Sequence, residues 1–307
     1  MRTGTKAAFD RRRFLGSAAA IVGTGMIAGN TSRAFAADAA ASERYKIGVC
    51  DWMILKRQKL GAFKWTKDIG ADGVEVDMGS LGQRDTFDSQ LANPEVRQQF
   101  LDTARDTGLA ICSLAMSGFY AQSFAERPTV PRMVQDCIDT MAAMNVKVAF
   151  LPLGVRSDLV LHPELRPVVV KRLREVAPKA EAAGVVIGIE TALDAAGEAA
   201  LLDEIGSPAI RSYFNFANAL QHGRDVSAEL RTLGKDRICQ IHATDEDGVL
   251  LQDNERLDMH AVKRTLDEMD WSGWLVLERS RDARDARNVL KNFGSNTAYL
   301  KSIFQSG

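Results

Sequence analysis

From residue 45 onward the chain alternates two patterns of apolar residues. Short runs of β-branched and small apolar side chains occupy 45–50, 73–78, 109–115, 146–151, 184–191, 211–216, 238–243 and 274–278. Runs of that length are too short for helices, and unbroken apolarity marks strands of a parallel sheet covered on both faces. Between them apolar residues recur every three or four positions, as in amphipathic helices. Met133, Val134, Cys137, Met141 and Met144 show that period within 131–144. The other predicted helices are 60–69, 93–107, 162–183, 198–205, 225–233, 258–269 and 287–304. Their ends carry the expected signals. Asn93-Pro94-Glu95 offers an N-cap, a proline at the first helical position and an acid in the first turn; Asp225 and Asp258 are further N-caps, and Gly108 and Gly234 are stops.

Eight strands alternating with eight helices over 45–304 predict an α/β chain folded as one (β/α)8 TIM barrel, whose usual length is about 250 residues. A doubly wound open sheet is the competing architecture. It usually shows a glycine-rich phosphate turn after an early strand, and this sequence has none.

The first 36 residues do not join this pattern. Arg11-Arg12-Arg13-Phe14-Leu15 precedes a glycine- and alanine-rich apolar stretch, and Ala34-Phe35-Ala36 follows it. A charged front, an apolar middle and a small-x-small site make a secretory signal. The paired arginines resemble a twin-arginine export signal. The expectation is a precursor handled by the twin-arginine export machinery, cleaved after Ala36, and a mature chain that is periplasmic or otherwise exported. The apolar stretch is too short to span a bilayer. Residues 37–44 read as a leader and 45–307 as the barrel.

The totals narrow the partners. The 307 residues carry a formal net charge of −1. Removing 1–36 takes away six basic residues and one acidic residue, leaving 33 basic against 39 acidic, or −6. A phosphate backbone calls for the opposite sign, so nucleic acid is excluded as a partner. Cys50, Cys112, Cys137 and Cys239 are far apart in sequence, with no C-x-x-C pair. They read as small apolar core groups rather than a disulfide frame or a thiolate metal site.

Barrel enzymes place their chemistry at the C-terminal ends of strands. Those ends hold Asp51 and Trp52, Glu75 and Asp77, Ser113, Glu190, Asn215 and Asn218, Gln240 and His242, and Glu278. A carboxylate ending a buried strand is costly unless donors or a cation compensate it. Two glutamates and a histidine, on the fifth, eighth and seventh strands, converge at the predicted barrel mouth. Like charges gathered there need a cation or raised pKa values. Oxygen ligands with one imidazole suit Mn²⁺, Mg²⁺, Co²⁺ or Zn²⁺.

The order and spacing of several short motifs resemble the xylose isomerase-like barrels of the sugar isomerases and epimerases. The motifs are Gly73-Val74-Glu75, Ile189-Glu190, Asn215-Phe216-Ala217-Asn218, Ile241-His242-Ala243-Thr244-Asp245 and Leu275-Val276-Leu277-Glu278. The resemblance covers nearly the whole mature chain. It implies that Glu190 and Glu278 are an acid/base pair and that Glu190, Asn215, His242 and Glu278 hold a divalent metal. It further implies that Glu75, Trp52, Asn218, Gln240 and Asp245 contact a small sugar or keto-sugar. Two positions depart from the family pattern: Asn215 stands where an aspartate is usual, and Thr244 where many relatives have lysine.

The function expected from this resemblance is sugar isomerisation or epimerisation by proton transfer beside a carbonyl. The same first step followed by loss of a glycosidic oxygen would make a lyase acting on keto-glycosides. The neutral Asn215 also leaves room for a non-catalytic sugar-binding protein. Trp52, Phe119 and Tyr120 are candidate platforms for a sugar face. The acidic loop 244–247 argues against a phosphorylated substrate. Oligomerisation is left open.

Overall fold

The computed structural model describes residues 44–306, so the expected export signal and most of the leader lie outside the described residues. Strands β1 (Tyr45–Cys50), β2 (Gly73–Asp77), β3 (Ala110–Ala115), β4 (Val148–Pro152), β5 (Val186–Glu190), β6 (Ile210–Asn215), β7 (Ile238–His242) and β8 (Gly273–Leu277) pair in chain order. All pairs are parallel, and β8 returns to β1 to close the barrel. The helices are α1 (Gly61–Ile69), α2 (Pro94–Thr107), α3 (Val130–Met144), α4 (Arg166–Ala183), α5 (Ala195–Ile205), α6 (Phe216–Gln221), α7 (Val226–Leu233), α8 (Met259–Glu268) and α9 (Val289–Phe304). The TIM barrel expected from the sequence is the fold observed.

Local chemistry sets the element ends. The Asn93 side chain accepts from the Glu95 N–H, Pro94 opens α2, and Gly108 closes it at φ 73°. Asp225 and Asp258 cap α7 and α8 as expected. Three elements differ from expectation. Helix α5 begins at Ala195, not 198, because Asp194 accepts from the Gly197 N–H at 2.7 Å and starts the helix a turn earlier. The segment 163–165 is a separate 3₁₀ turn before α4. Strand β6 stops at Asn215 and its apolar continuation becomes α6, which Asn215 itself caps.

The apolar core lies between the strands and the helices, as the unbroken apolar runs require. The barrel interior is a second, more polar packing layer. There Gly188 lets Tyr213 lie across the barrel: a Cβ at 188 would meet Cys239 Sγ at 2.6 Å and Tyr213 Cβ at 2.9 Å. The register sets Asn215 beside His242 and Pro152 beside Glu190, so neighbouring strands deliver their last side chains at one level. Among the described residues no helix is long and apolar enough to cross a membrane.

Candidate active site

The floor of the site is built around Glu75, fully buried in the barrel interior. Its carboxylate accepts from Ser113 Oγ on β3 at 2.6 Å and from Tyr213 Oη on β6 at 2.7 Å. His242 Nε2 faces it at 3.2 Å and Cys50 Sγ at 3.4 Å. Gln240 sits in the same layer, its amide donating to Ser113 Oγ and Tyr213 Oη. These donors offset the cost of placing a carboxylate out of water.

His242 joins the floor to the cup above it. Its Nδ1 lies 3.1 Å from Glu190 Oε2 and 3.7 Å from Glu278 Oε2. Burial by itself would lower its pKa, but Glu278, Glu190 and Glu75 outweigh that and push it up to about 10. Glu278 is raised in turn, first by burial and then by the charge of Glu190, with His242 opposing. The two glutamates share two further neighbours. Asn215 Nδ2 donates to Glu190 Oε2 at 2.8 Å and to Glu278 Oε2 at 3.3 Å. Tyr120 Oη lies 3.0 Å from Glu190 Oε1 and 2.9 Å from Glu278 Oε1. Arg279 Nε stands 4.0 Å from Glu278. A cavity of about 260 Å³ opens from this cup, lined by Tyr120, Glu190, Asn215, Asn218, His222 and Arg279 among others.

The family of xylose isomerase-like TIM barrels matches residues 63–302, most of the chain. The chain belongs to that family. Among curated proteins it is 27% identical over 208 residues to 2-epi-5-epi-valiolone 7-phosphate 2-epimerase of Actinoplanes sp., covering 65% of this chain and 72% of that protein. Similar solved structures include D-psicose 3-epimerase with D-fructose, at a TM-score of 0.67 and 12% identity over 85% of this chain and 99% of the other. The 3-keto-D-glucoside 4-epimerase of E. coli gives a TM-score of 0.65 and 17% identity over 84% and 99%. At those identities the two structures establish the shared fold.

Within this xylose isomerase-like barrel, Glu190, His242 and Glu278 present ligand atoms that all lie within 4.8 Å of one another. That set fits a divalent cation with three protein ligands and open positions for substrate. Glu75 on the far nitrogen of His242 completes the carboxylate–imidazole arrangement that orients a metal-binding histidine. Asn215 reaches the cup with the other end of its amide. Its Oδ1 accepts from the Ala217 N–H at 2.9 Å as the cap of α6. That contact fixes the amide, since a flipped group would set N–H against N–H. Its oxygen is therefore committed to the helix, and its NH₂ holds the carboxylates.

The other candidates are distributed unevenly. Asn218 lines the cavity and donates to the Thr191 carbonyl at 3.1 Å. Trp52 stacks on Phe150 with centroids 6.3 Å apart, and Phe150 packs on both Tyr213 and His242. Glu75 and Gln240 lie beneath the cup, so they hold His242 and Tyr213 from below. Asp245 is turned away into a two-point ion pair with Arg256, both contacts 2.6 Å, where it fixes the loop after β7. Phe119 is buried against Phe87 and Phe124 and packs its own loop. Thr244 is buried and accepts from the Arg279 N–H. The sequence reading missed Tyr213, whose only signal was its two-residue spacing from Asn215 on one strand face. It took Tyr120 as a ring platform, because nothing in a loop sequence shows where a hydroxyl will land.

Proposed function

We propose that this chain is a sugar epimerase or isomerase that moves a proton next to a carbonyl, with Glu190 and Glu278 as the proton carriers. The observation that supports this reading most is that a single hydroxyl, that of Tyr120, spans Glu190 and Glu278 at the cavity that Glu190 lines. A carbon held in that gap meets one carboxylate on each side, so one can take its proton and the other return one. Asn215 holds the inner oxygen of each carboxylate and His242 also holds that of Glu190, which leaves the outer oxygens as the bases. Phe150 and Trp52 keep the inner wall apolar, which strengthens every charge interaction in the cup. A divalent ion, held by Glu190, His242 and Glu278, supplies Lewis-acid charge at the carbonyl oxygen when bound.

The substrate class is an unphosphorylated sugar or keto-sugar. Asp245 occupies Arg256 within the loop after β7, and Asp247 of that loop occupies Arg281 from the loop after β8 at 3.0 Å, so both arginines are already paired. The amides of Asn215, Asn218 and Gln221, which suit hydroxyls, line the cavity together with Asp158, His222 and Arg279.

The test is deuterium exchange at carbon, followed by nuclear magnetic resonance in D₂O with added Mn²⁺, over D-fructose, D-psicose, D-tagatose and a 3-keto-glucoside. Wild type should exchange at least one of these, and Glu190→Gln or Glu278→Gln should slow turnover by roughly 10²–10⁴ with the fold kept. Exchange that survives both substitutions would refute the assignment. Splitting of the keto-glucoside, read by mass, would show β-elimination instead. Tight sugar binding without exchange would show a binding protein.

A further inference from the structure

Of the described residues that line the cavity, Arg279 is the one permanent cation. The other lining groups that can carry charge near neutral pH are already engaged. Asp158 Oδ1 accepts from the Val160 and Leu161 N–H groups of its own loop at 2.8 and 3.3 Å. His222 Nδ1 lies 2.8 Å from the Asn218 carbonyl oxygen, and Glu190 belongs to the cup. The Arg279 guanidinium is half-buried, yet its side chain makes no hydrogen bond among the described residues. Its approach to Glu278 Oε2, 4.0 Å from Nε, is beyond hydrogen-bond reach. Arg281, two residues on, is a satisfied arginine in the same loop. Its Nε holds one oxygen of Asp247 at 3.0 Å and its Nη2 holds the other.

The backbone that carries Arg279 is pinned. Its N–H donates to Thr244 Oγ1 at 3.1 Å. Ser280, next in the chain, is a fully buried non-glycine residue at φ 63°. A side chain is strained in that left-handed region, and the strain persists only where the surroundings impose it. Here they do. Ser280 Oγ accepts from the Asp245 N–H at 2.9 Å and donates to the Asp245 carbonyl at 3.2 Å, and Asn296 Nδ2 donates to the Ser280 carbonyl at 2.7 Å. The loop after β7 and helix α9 thus fix the stem of an arginine whose head has no partner at the cavity wall. A half-desolvated cation calls for an anion, and the planar guanidinium fork matches a carboxylate or phosphate at two points. Neutral hydroxyls are already served by the amides of Asn215, Asn218 and Gln221 and need no fixed charge. We propose that Arg279 is the specificity-determining residue of this cavity, selecting a substrate that bears an anionic oxygen group. For an unphosphorylated substrate that group is a carboxylate, and the substrate is a keto-sugar acid.

The inference rests on the epimerase reading for the sugar itself, and binding and exchange tell the two apart. D-fructose, D-fructuronate and D-fructose 6-phosphate present one carbon skeleton with a neutral, a carboxylate and a phosphate end. Affinity is measured by isothermal titration with added Mn²⁺, and exchange by nuclear magnetic resonance in D₂O, in wild type, Arg279→Lys and Arg279→Gln. Wild type should bind D-fructuronate about tenfold or more tightly than D-fructose, and Arg279→Gln should remove most of that preference. Arg279→Lys keeps the charge without the fork and should fall between them. The ratio of the two affinities within each protein cancels whatever follows from losing a charge beside Glu278, and melting temperatures check the fold. A wild type that binds all three alike overturns the inference, as does a preference that survives Arg279→Gln. An equal loss of affinity for the acid and the neutral sugar would make Arg279 a charge partner of Glu278 alone and overturns it too. Tightest binding of the 6-phosphate, lost in Arg279→Gln, would keep the anion site and refute the unphosphorylated substrate. Exchange of no sugar, with the Arg279-dependent preference intact, would refute the epimerase reading and leave the anion site standing.

Discussion

At position 215 an aspartate and an asparagine differ by one atom and one charge, and the cap on α6 makes that difference decide the chemistry. With Oδ1 fixed on the Ala217 N–H, the other end of the side chain must face Glu190 and Glu278. An amide there donates to both carboxylates; a carboxylate there would repel them unless an ion lay between. Asn215→Asp should therefore tighten Mn²⁺ binding by on the order of tenfold, because ligand charge and number set affinity. Isothermal titration would show it, and the metal-free variant should melt below wild type through like-charge repulsion. Unchanged Mn²⁺ affinity would mean that the ion is not bound between these groups. The sequence alone told that position 215 departs from the family pattern, but not which end of the amide faces the site. That depended on a helix cap two residues away.

At the scale of elements, β5 shows how much a strand's own residues reveal. Its apolar run and terminal glutamate were readable, and the structure ends the strand at Glu190. The role of Gly188 was not readable, because it depends on what crosses the barrel from other strands. Gly188→Ala would force its Cβ into Cys239 Sγ and the Tyr213 side chain. Overpacking of this kind costs about 1–3 kcal/mol, and it would also move the hydroxyl that holds Glu75. Denaturant unfolding should show the loss, and a shift in carbon–deuterium exchange should accompany it; a neutral substitution would show that the interior layer can relax. Helix α6 escaped the sequence reading for a related reason. Phe216 and Ala217 continue the apolar pattern of β6, and the strand ends only because Asn215 caps a helix.

At the scale of the molecule, the barrel buries more ionisable groups than its site uses. Glu198 on α5 accepts from Thr191 Oγ1 at 3.2 Å, while its other oxygen has no partner among the described residues. Burial raises its pKa from 4.5 to about 8. The folded chain therefore keeps this proton where the unfolded chain has lost it, between about pH 4.5 and 8. Stability from this group is fully present below 4.5 and falls as pH rises through about 8. Glu198→Gln removes the titration, so its melting temperature relative to wild type should rise steadily across that window. A pH-independent difference between the two would show that Glu198 is ionised in the fold.

The sequence by itself determined the barrel, the chain order of its strands and the strand ends that carry Glu190, His242 and Glu278. Those follow from local patterns: apolar runs of strand length, helical periodicity between them, and ionisable residues where a buried strand stops. The tertiary structure decided which atoms of those residues meet. It set Glu75 behind His242, turned Asp245 away to Arg256, aimed the amide of Asn215 at the carboxylates and brought the Tyr120 hydroxyl between them. All but the Asp245–Arg256 pair, which lies within one loop, join residues from different strands or loops. Their geometry is fixed by the closure of the barrel, which no stretch of sequence contains.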